Sequence, residues 1–251
     1  MNINKLRHSK ESVYRAICIA VGVLLWIPLF FTIAIFLPFI AFSLWMAQKF
    51  FEASVYGNAV HVNEGQFPQL HNIKLALSDK LGLKDVPEFF IVNSEGAMNA
   101  LAIKFLSKKF VLMYSSLIDL LKTEDNKSIE MVLAHELAHH AAGHTGFWLN
   151  LVMKPAMFVP FLGSAYSRAC ELTADRIAYI LVGDVDVATT ALIKLACGSD
   201  KLGKDLDINT FIAQEIRVPF LAGFINEIYS SHTRMTKRVE HITAFSIEQR
   251  A

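Results

Sequence analysis

His135-Glu136-Leu137-Ala138-His139 sits within a run of apolar and small residues, with Met131-Val132-Leu133-Ala134 before it and Ala141-Ala142 after it. No other feature constrains the fold of this chain as strongly. The run has the make-up of a buried helix, and residues four apart on a helix are offset by only about 40° around the axis. The imidazoles of His135 and His139 therefore leave one face and can share one metal ion. Glu136 is turned about 100° from His135, where it can reach a water on that ion without being a ligand. Burying two imidazoles and a carboxylate in so apolar a helix is costly without partners, and a metal supplies the partner. The pattern H-E-x-x-H on a helix matches the needs of a hydrolytic zinc site, with the glutamate as general base. The alternative, a surface helix with these side chains in solvent, fits poorly with the apolar flanks.

A catalytic zinc takes three protein ligands and leaves one position open. His140 points about 100° away from His139. His144 lies off the ligand face and beyond Gly143, where the helix is expected to end. The extended pattern H-E-x-x-H-x-x-G-x-x-H is excluded, because Ala142 and Thr145 stand where Gly and His would be needed. Glu171 is the better third ligand. It lies in a second helical run, Tyr166 to Val182, four residues before Asp175 and on the same face. Asp175 can then accept the other N–H of a ligand histidine, fixing its tautomer and raising its basicity. The alternative makes Glu171 and Asp175 ordinary surface acids paired with Arg168 and Arg176.

His-Glu-Leu-Ala-His followed by Glu171-Leu172-Thr173-Ala174-Asp175 resembles the gluzincin peptidases of the HtpX and CAAX-prenyl-protease type. Asn99-Ala100-Leu101 resembles that family's Asn-Ala-Phe edge strand. Ser231-His232, with Arg238 six residues on, resembles its His-Pro-x-x-x-x-Arg motif. Leu101 replaces the usual Phe and Thr233 the usual Pro. The resemblance spans residues 99–238. It implies one Zn²⁺ per chain, held by His135, His139 and Glu171, and peptide-bond hydrolysis with Glu136 as base. It further implies His232 as a catalytic oxyanion stabiliser, and Arg238 as a group orienting His232 or the Glu171/Asp175 helix.

From Ala16 to Ala47 there is no charged residue, and the mean hydropathy of the whole chain is +0.38. The stretch exceeds the roughly 20 residues of one membrane span and falls short of the roughly 40 of two. Pro28 and Pro38 fit either a kink in one long tilted helix or the turn of a tight hairpin. Trp26 and Trp45 are candidate interfacial anchors. Lys5, Arg7, Lys10 and Arg15 precede the stretch, which puts the N-terminus in the cytoplasm. A hairpin returns the enzyme there; a single span places it on the extracytoplasmic face. The resemblance implies paired spans in a bacterial inner membrane, a cytoplasmic catalytic domain, and polypeptide substrates that include misfolded membrane proteins. A net charge of +1 gives no electrostatic case for nucleic acid. Three cysteines, one of them (Cys18) in the apolar stretch, make no disulfide framework. A second apolar stretch, Phe147 to Tyr166, is interrupted by Lys154, Pro155, Pro160 and Gly163. It reads as two short helices packed on the domain or dipped into the bilayer surface.

These features predict an α+β, mainly helical fold: residues 1–52 as a basic segment and membrane anchor, a transmembrane helix or hairpin, and 53–251 as a gluzincin-type zinc metallopeptidase domain with a small antiparallel sheet. Residues 57–68 read as a loop, and Leu70, Ile73, Leu77 and Leu81 are at helical spacing, with Gly82 closing that helix. Residues 88–92, 98–105 and 109–114 read as strands, and 185–199, 208–216 and 218–230 as helices. Ile216, Phe220, Leu221, Phe224 and Ile225 read as core, as do Phe211, Ile212 and Ile228. Tyr229 could touch the cleft. A peptide could add its backbone to the edge strand at Asn99–Leu101; the alternative makes that segment scaffold. His8, His61, His71 and His241 lack ligand spacing and read as structural or exposed. Two other functions compete: a catalytically silent membrane scaffold or chaperone-like adaptor that keeps zinc for stability, against which Glu136 argues, and a hydrolase for prenylated substrates, which would need more spans.

Overall fold

The computed structural model describes residues 1–93, 99–104, 108–122, 126–159 and 161–250, apart from the side chains of residues 29 and 31–33. The N-terminus forms a short helix α1 (Ile3–Leu6) and a long helix α2 (Ser9–Asn58). Strand β1 (Val60–His61) and helix α3 (Pro68–Leu81) follow, then strands β2 (Glu88–Val92), β3 (Ala100–Lys104) and β4 (Lys109–Tyr114). The rest is helical: α4 (Ser115–Leu121), α5 (Lys127–Ala141), α6 (Phe147–Met157), α7 (Leu162–Val182), α8 (Val185–Cys197), α9 (Asp200–Asp205), α10 (Ile208–Ala213), α11 (Phe220–Tyr229) and α12 (Met235–Arg250). Both ends of the expected 98–105 strand lie outside the described residues. Helices α4, α9 and α12 and the two-residue β1 have no counterpart in the sequence reading, which ran β1 into a loop.

Helix α5 runs through the middle of the main core, packed on α7, α8, α3 and the sheet. Leu133, Leu137, Ile177, Leu192 and Ile242 meet there with Phe89, Val111 and Met113. The four strands are ordered β1-β2-β4-β3. Contrary to the antiparallel sheet expected, the sheet is mixed: β4 lies between β2 and β3, antiparallel to β3 but parallel to β2, with Phe90 opposite Leu112. The physical reason is legible in the strands themselves. Phe89-Phe90 and Phe110-Val111-Leu112-Met113 are buried on both faces, as central strands covered on two sides must be. One face meets the α5 core, while Phe90, Phe110 and Leu112 pack with Val55 of α2 on the other. β3 is left at an edge of the sheet.

At 1.5 Å per residue, a straight helix would hold Glu11 and Phe51 about 60 Å apart. Yet both are tied to one body. Glu11 reaches His144, one turn beyond His140; His140 hydrogen-bonds the Phe110 carbonyl; and the Phe51 ring packs 5.4 Å from that of Phe110. Three such contacts and one helical turn span far less than 60 Å, so α2, though helical throughout Ser9–Asn58, bends sharply back along its course. The return lies between Trp26, which donates to Leu151 O of α6, and Phe51, a region holding Pro28 and Pro38, residues that break the helical ladder. Two stretches, Ser9–Pro28 and Ala34–Asn58, are long and apolar enough to cross a membrane. The apolar 147–166 region takes the expected form of separate helices: α6 and the start of α7 pack on Cys18 of α2 through Met153, Ala156 and Tyr166.

Helix α11 corrects the core expected there. Ile228 is buried, and Phe211 and Ile212 pack on the main core. Ile216, Phe220, Leu221, Phe224 and Ile225 are exposed, Ile216 at 91 % and Phe220 at 90 %. Periodicity identified the apolar face of that helix but could not tell whether another element covers it.

The contact between α2 and α6 depends on Gly22, where an added Cβ would fall 2.2 Å from Val152 O. Gly22→Leu must separate the helices, at a cost of about 1–3 kcal/mol. Thermal unfolding of the detergent-solubilised chain is expected to shift down by roughly 2–4 °C per kcal/mol. Gly57→Ala, where the new methyl meets nothing within 4 Å, should lose no stability. Equal melting of Gly22→Leu and wild type would refute the close approach.

Candidate metal centre

Small residues let α5 and α7 come together. Ala134 and Ala138 on one helix and Ala174 and Ala178 on the other are fully buried, and helix separation follows the size of the side chains at the contact. The pairing sets His135 and His139 against Glu171. His135 Nε2 and His139 Nε2 are 3.2 Å apart, His139 Nε2 is 3.4 Å from Glu171 Oε1, and His135 Nε2 is 3.7 Å from Glu171 Oε2. These three side chains form a group able to hold a metal. A tetrahedral ion with bonds of about 2.0–2.1 Å needs donors about 3.3–3.4 Å apart, close to the separations of this trio. All three are nearly buried. Burial opposes the charged form of Glu171, but hydrogen bonds from His139 and His232, with the charges of His135 and Arg238, hold its carboxyl well below the usual range. It would therefore meet a metal as an anion.

The ligands are held from behind. Asp175 Oδ1 lies 2.8 Å from His135 Nδ1, which has no other partner among the described residues. This fixes the tautomer that turns the Nε2 lone pair toward the centre. Arg238, from α12, forks onto Asp175 with contacts of 2.8 and 2.6 Å and lies 3.5 Å from Glu171 Oε2. Of the two expected placements for Arg238, its contacts among the described residues fall on the acids of α7 and not on His232. His232 Nδ1 is 3.1 Å from Glu171 Oε2, on a side chain 72 % exposed at the rim. Asn99, Ala100 and Leu101 line the same cleft of about 470 Å³ together with Glu136, His232 and the ligand trio. Tyr229 is not among the lining residues and is exposed.

His144 is the functional neighbour that sequence reasoning passed over. It is not in the trio, but α5 ends in a left-handed turn at Gly143 (φ 80°), with His144 N donating to His139 O and Gly143 N to His140 O. This closing motif folds His144 back, so that its Nδ1 lies 2.8 Å from His139 Nδ1. Burial lowers the His144 ring to about 4, which keeps it neutral. His140 points away as expected, with Nε2 at Phe110 O and Nδ1 at Thr145 Oγ1. His8 is buried edge-on to His241, and His61 stacks on Phe90, both in structural settings.

Asp175 has no exposed surface. Burial works to raise its carboxyl; the charge and hydrogen bonds of Arg238, then those of His135, overcome it and hold it down to about 2. Its ionisation therefore stabilises the fold above its ordinary 3.8, and that contribution is lost as pH falls toward 2. Arg238→Met leaves a buried carboxylate without its main partner, which costs about 3–5 kcal/mol. Denaturant unfolding should show that loss at neutral pH, with the acid transition moved to higher pH. An acid transition at the wild-type pH would overturn the role of Arg238.

Comparison with known proteins agrees with this geometry. The chain is 30 % identical over 173 residues to "Plastoglobule-localized metallopeptidase 48, chloroplastic" of Arabidopsis thaliana. The match covers 63 % of this chain and 48 % of that protein, so the chain spans about half of its relative's length. The model of peptidase family M48 matches residues 64–158 and 146–246, which include every proposed ligand. With H-E-x-x-H on α5 and the glutamate on α7 inside the matched region, the chain belongs to peptidase family M48, a family of metallopeptidases.

Proposed function

We propose that this protein is a membrane-anchored zinc endopeptidase that cleaves polypeptides laid along β3. The observation that carries this reading is the buried trio of His135, His139 and Glu171, whose donor spacing suits a tetrahedral ion, with Glu136 one residue on and in the same cleft. When bound, zinc polarises a carbonyl and lowers the pKa of a water toward neutrality. Glu136 takes a proton from the attacking water as its oxygen bonds to the scissile carbonyl carbon. It delivers that proton to the amine as the C–N bond breaks. His232, at the open rim, donates to the oxygen on which negative charge develops. An extended substrate adds its backbone to the edge strand β3 at Asn99–Leu101, which positions it largely independently of side-chain identity.

The membrane part of the reading draws on α2. Its two apolar stretches would cross the bilayer as a hairpin, because both of its ends pack on the catalytic body. The basic residues before it favour the cytoplasmic side for both. Polypeptides at or in the bilayer, misfolded membrane proteins among them, are then the substrates within reach.

Glu136→Gln is expected to bind zinc as wild type does and to lose about 10²–10⁴-fold in kcat on a quenched peptide library. Full activity in that variant would exclude Glu136 as the base. A protease added outside intact cells should leave a C-terminal tag uncut; ready cleavage would reverse the proposed side.

A further inference from the structure

Glu11, in the first turn of α2 and ahead of its apolar stretch, reaches the neighbourhood of the metal centre although 124 positions separate it from His135 in sequence. We propose that Glu11, acting through His144, positions the ligand His139. The inference rests on the metal reading above and adds to it a residue outside the region matched by the family.

His139 Nδ1 lies 2.8 Å from His144 Nδ1, and His144 Nε2, buried and with no other partner among the described residues, lies 3.3 Å from Glu11 Oε1. Only one arrangement of protons leaves the His139 Nε2 lone pair free for a metal. His139 Nδ1–H donates to His144 Nδ1, and His144 Nε2–H donates to the Glu11 carboxylate. Glu11 therefore selects the tautomer of His144, and His144 selects that of His139, as a carboxylate behind a ligand imidazole does directly. His135 has that direct arrangement with Asp175. His139 has the same arrangement with one imidazole inserted.

The Glu11 side chain is fully buried and held on three sides. Arg7 pairs with it from the preceding turn and also donates to Ala142 O, at the end of the ligand helix. Thr173 Oγ1, two residues after Glu171, donates to Glu11 Oε2 at 2.6 Å and accepts from His8 N at 3.0 Å. The alternative, that Glu11, His144 and Cys170 bind an ion of their own, conflicts with these commitments. Both of Glu11's oxygens and both of His144's nitrogens are engaged, and burial pushes the Cys170 thiol up, so it stays protonated.

The test measures zinc affinity rather than activity. Full-length apo-protein in detergent is titrated with zinc against a chromophoric chelator, and far-UV circular dichroism checks the fold of each apo variant. Glu11→Gln and His144→Leu should each weaken zinc by roughly 10–100-fold. The double variant should be no weaker than His144→Leu, because Glu11 acts only through His144. His144→Asn, which keeps an acceptor near the Nδ1 position but cuts the link to Glu11, should match Glu11→Gln. If Glu11→Gln binds zinc within about twofold of wild type, or the losses multiply in the double variant, the inference falls. Should Glu11→Gln not fold, wild-type affinity in His144→Asn overturns it equally. A wild-type chain that takes up no zinc would instead overturn the metal reading itself.

Discussion

The contact between α5 and α7 brings two imidazoles and two carboxylates into a space from which water is largely shut out. His135, His139, Glu171 and Asp175 are each buried or nearly so, and charges removed from water cost several kcal/mol each unless paired. The chain answers that cost from a third helix. Arg238 of α12 forks onto Asp175 and stands beside Glu171. Even so, the two Nε2 atoms face each other at 3.2 Å with a carboxylate beside them, an arrangement that a divalent cation would satisfy with both nitrogens unprotonated and a hydrophobic core does not. The alanines at the helix contact hold the donors at this spacing, so packing and ligand geometry are one constraint.

The same constraint extends to the N-terminal segment. Residues Arg7 to Gly22 fill the space behind α5, α6 and α7, and the far end of α2 covers the back of the sheet through Val55. The segment that carries the two apolar stretches is thus also a wall of the catalytic body. Movement of α2 against α7 would be felt at Glu11 and, through His144, at a ligand.

What could be read from the sequence follows from the range of each signal. The ligand trio, Asp175, Glu136 and the edge strand were legible because helical spacing and short motifs fix them locally, and the structure gathers all of them into one cleft. Helices α3 and α8, and α7 from Tyr166 onward, were likewise visible in local sequence pattern, while the first turn of α7 at Leu162 was not. The sheet was legible only as strands. The continuous apolar runs of β2 and β4 signalled burial on both faces but were taken for antiparallel strands. The exposed face of α11 was misassigned because periodicity reports that a face is apolar and cannot report what lies against it. His144 was set aside by a correct argument about helix faces. What brings it back is the turn at Gly143, and its partner Glu11 is brought by tertiary packing alone.

The finished cleft is asymmetric, and the asymmetry has chemical consequences. Its inner wall is braced twice: Arg238 and Asp175 hold His135, while Glu11 and His144 hold His139. Its outer rim, with His232 at 72 % exposure and the edge of β3, is open. A rigid inner wall keeps the donors at their spacing whether or not substrate is present, which spares reorganisation during the reaction. In the proposed reaction a polypeptide would enter at this open rim, and a strand laid on β3 would cover His232 and displace water from it. In the proposed reaction the hydrogen bond that His232 offers to the developing oxyanion then acts at a lower local dielectric, where it is stronger than in water. Substrate that cannot pair with β3 would leave His232 solvated and the oxyanion poorly stabilised, so strand pairing would contribute to the rate of the chemical step as well as to binding.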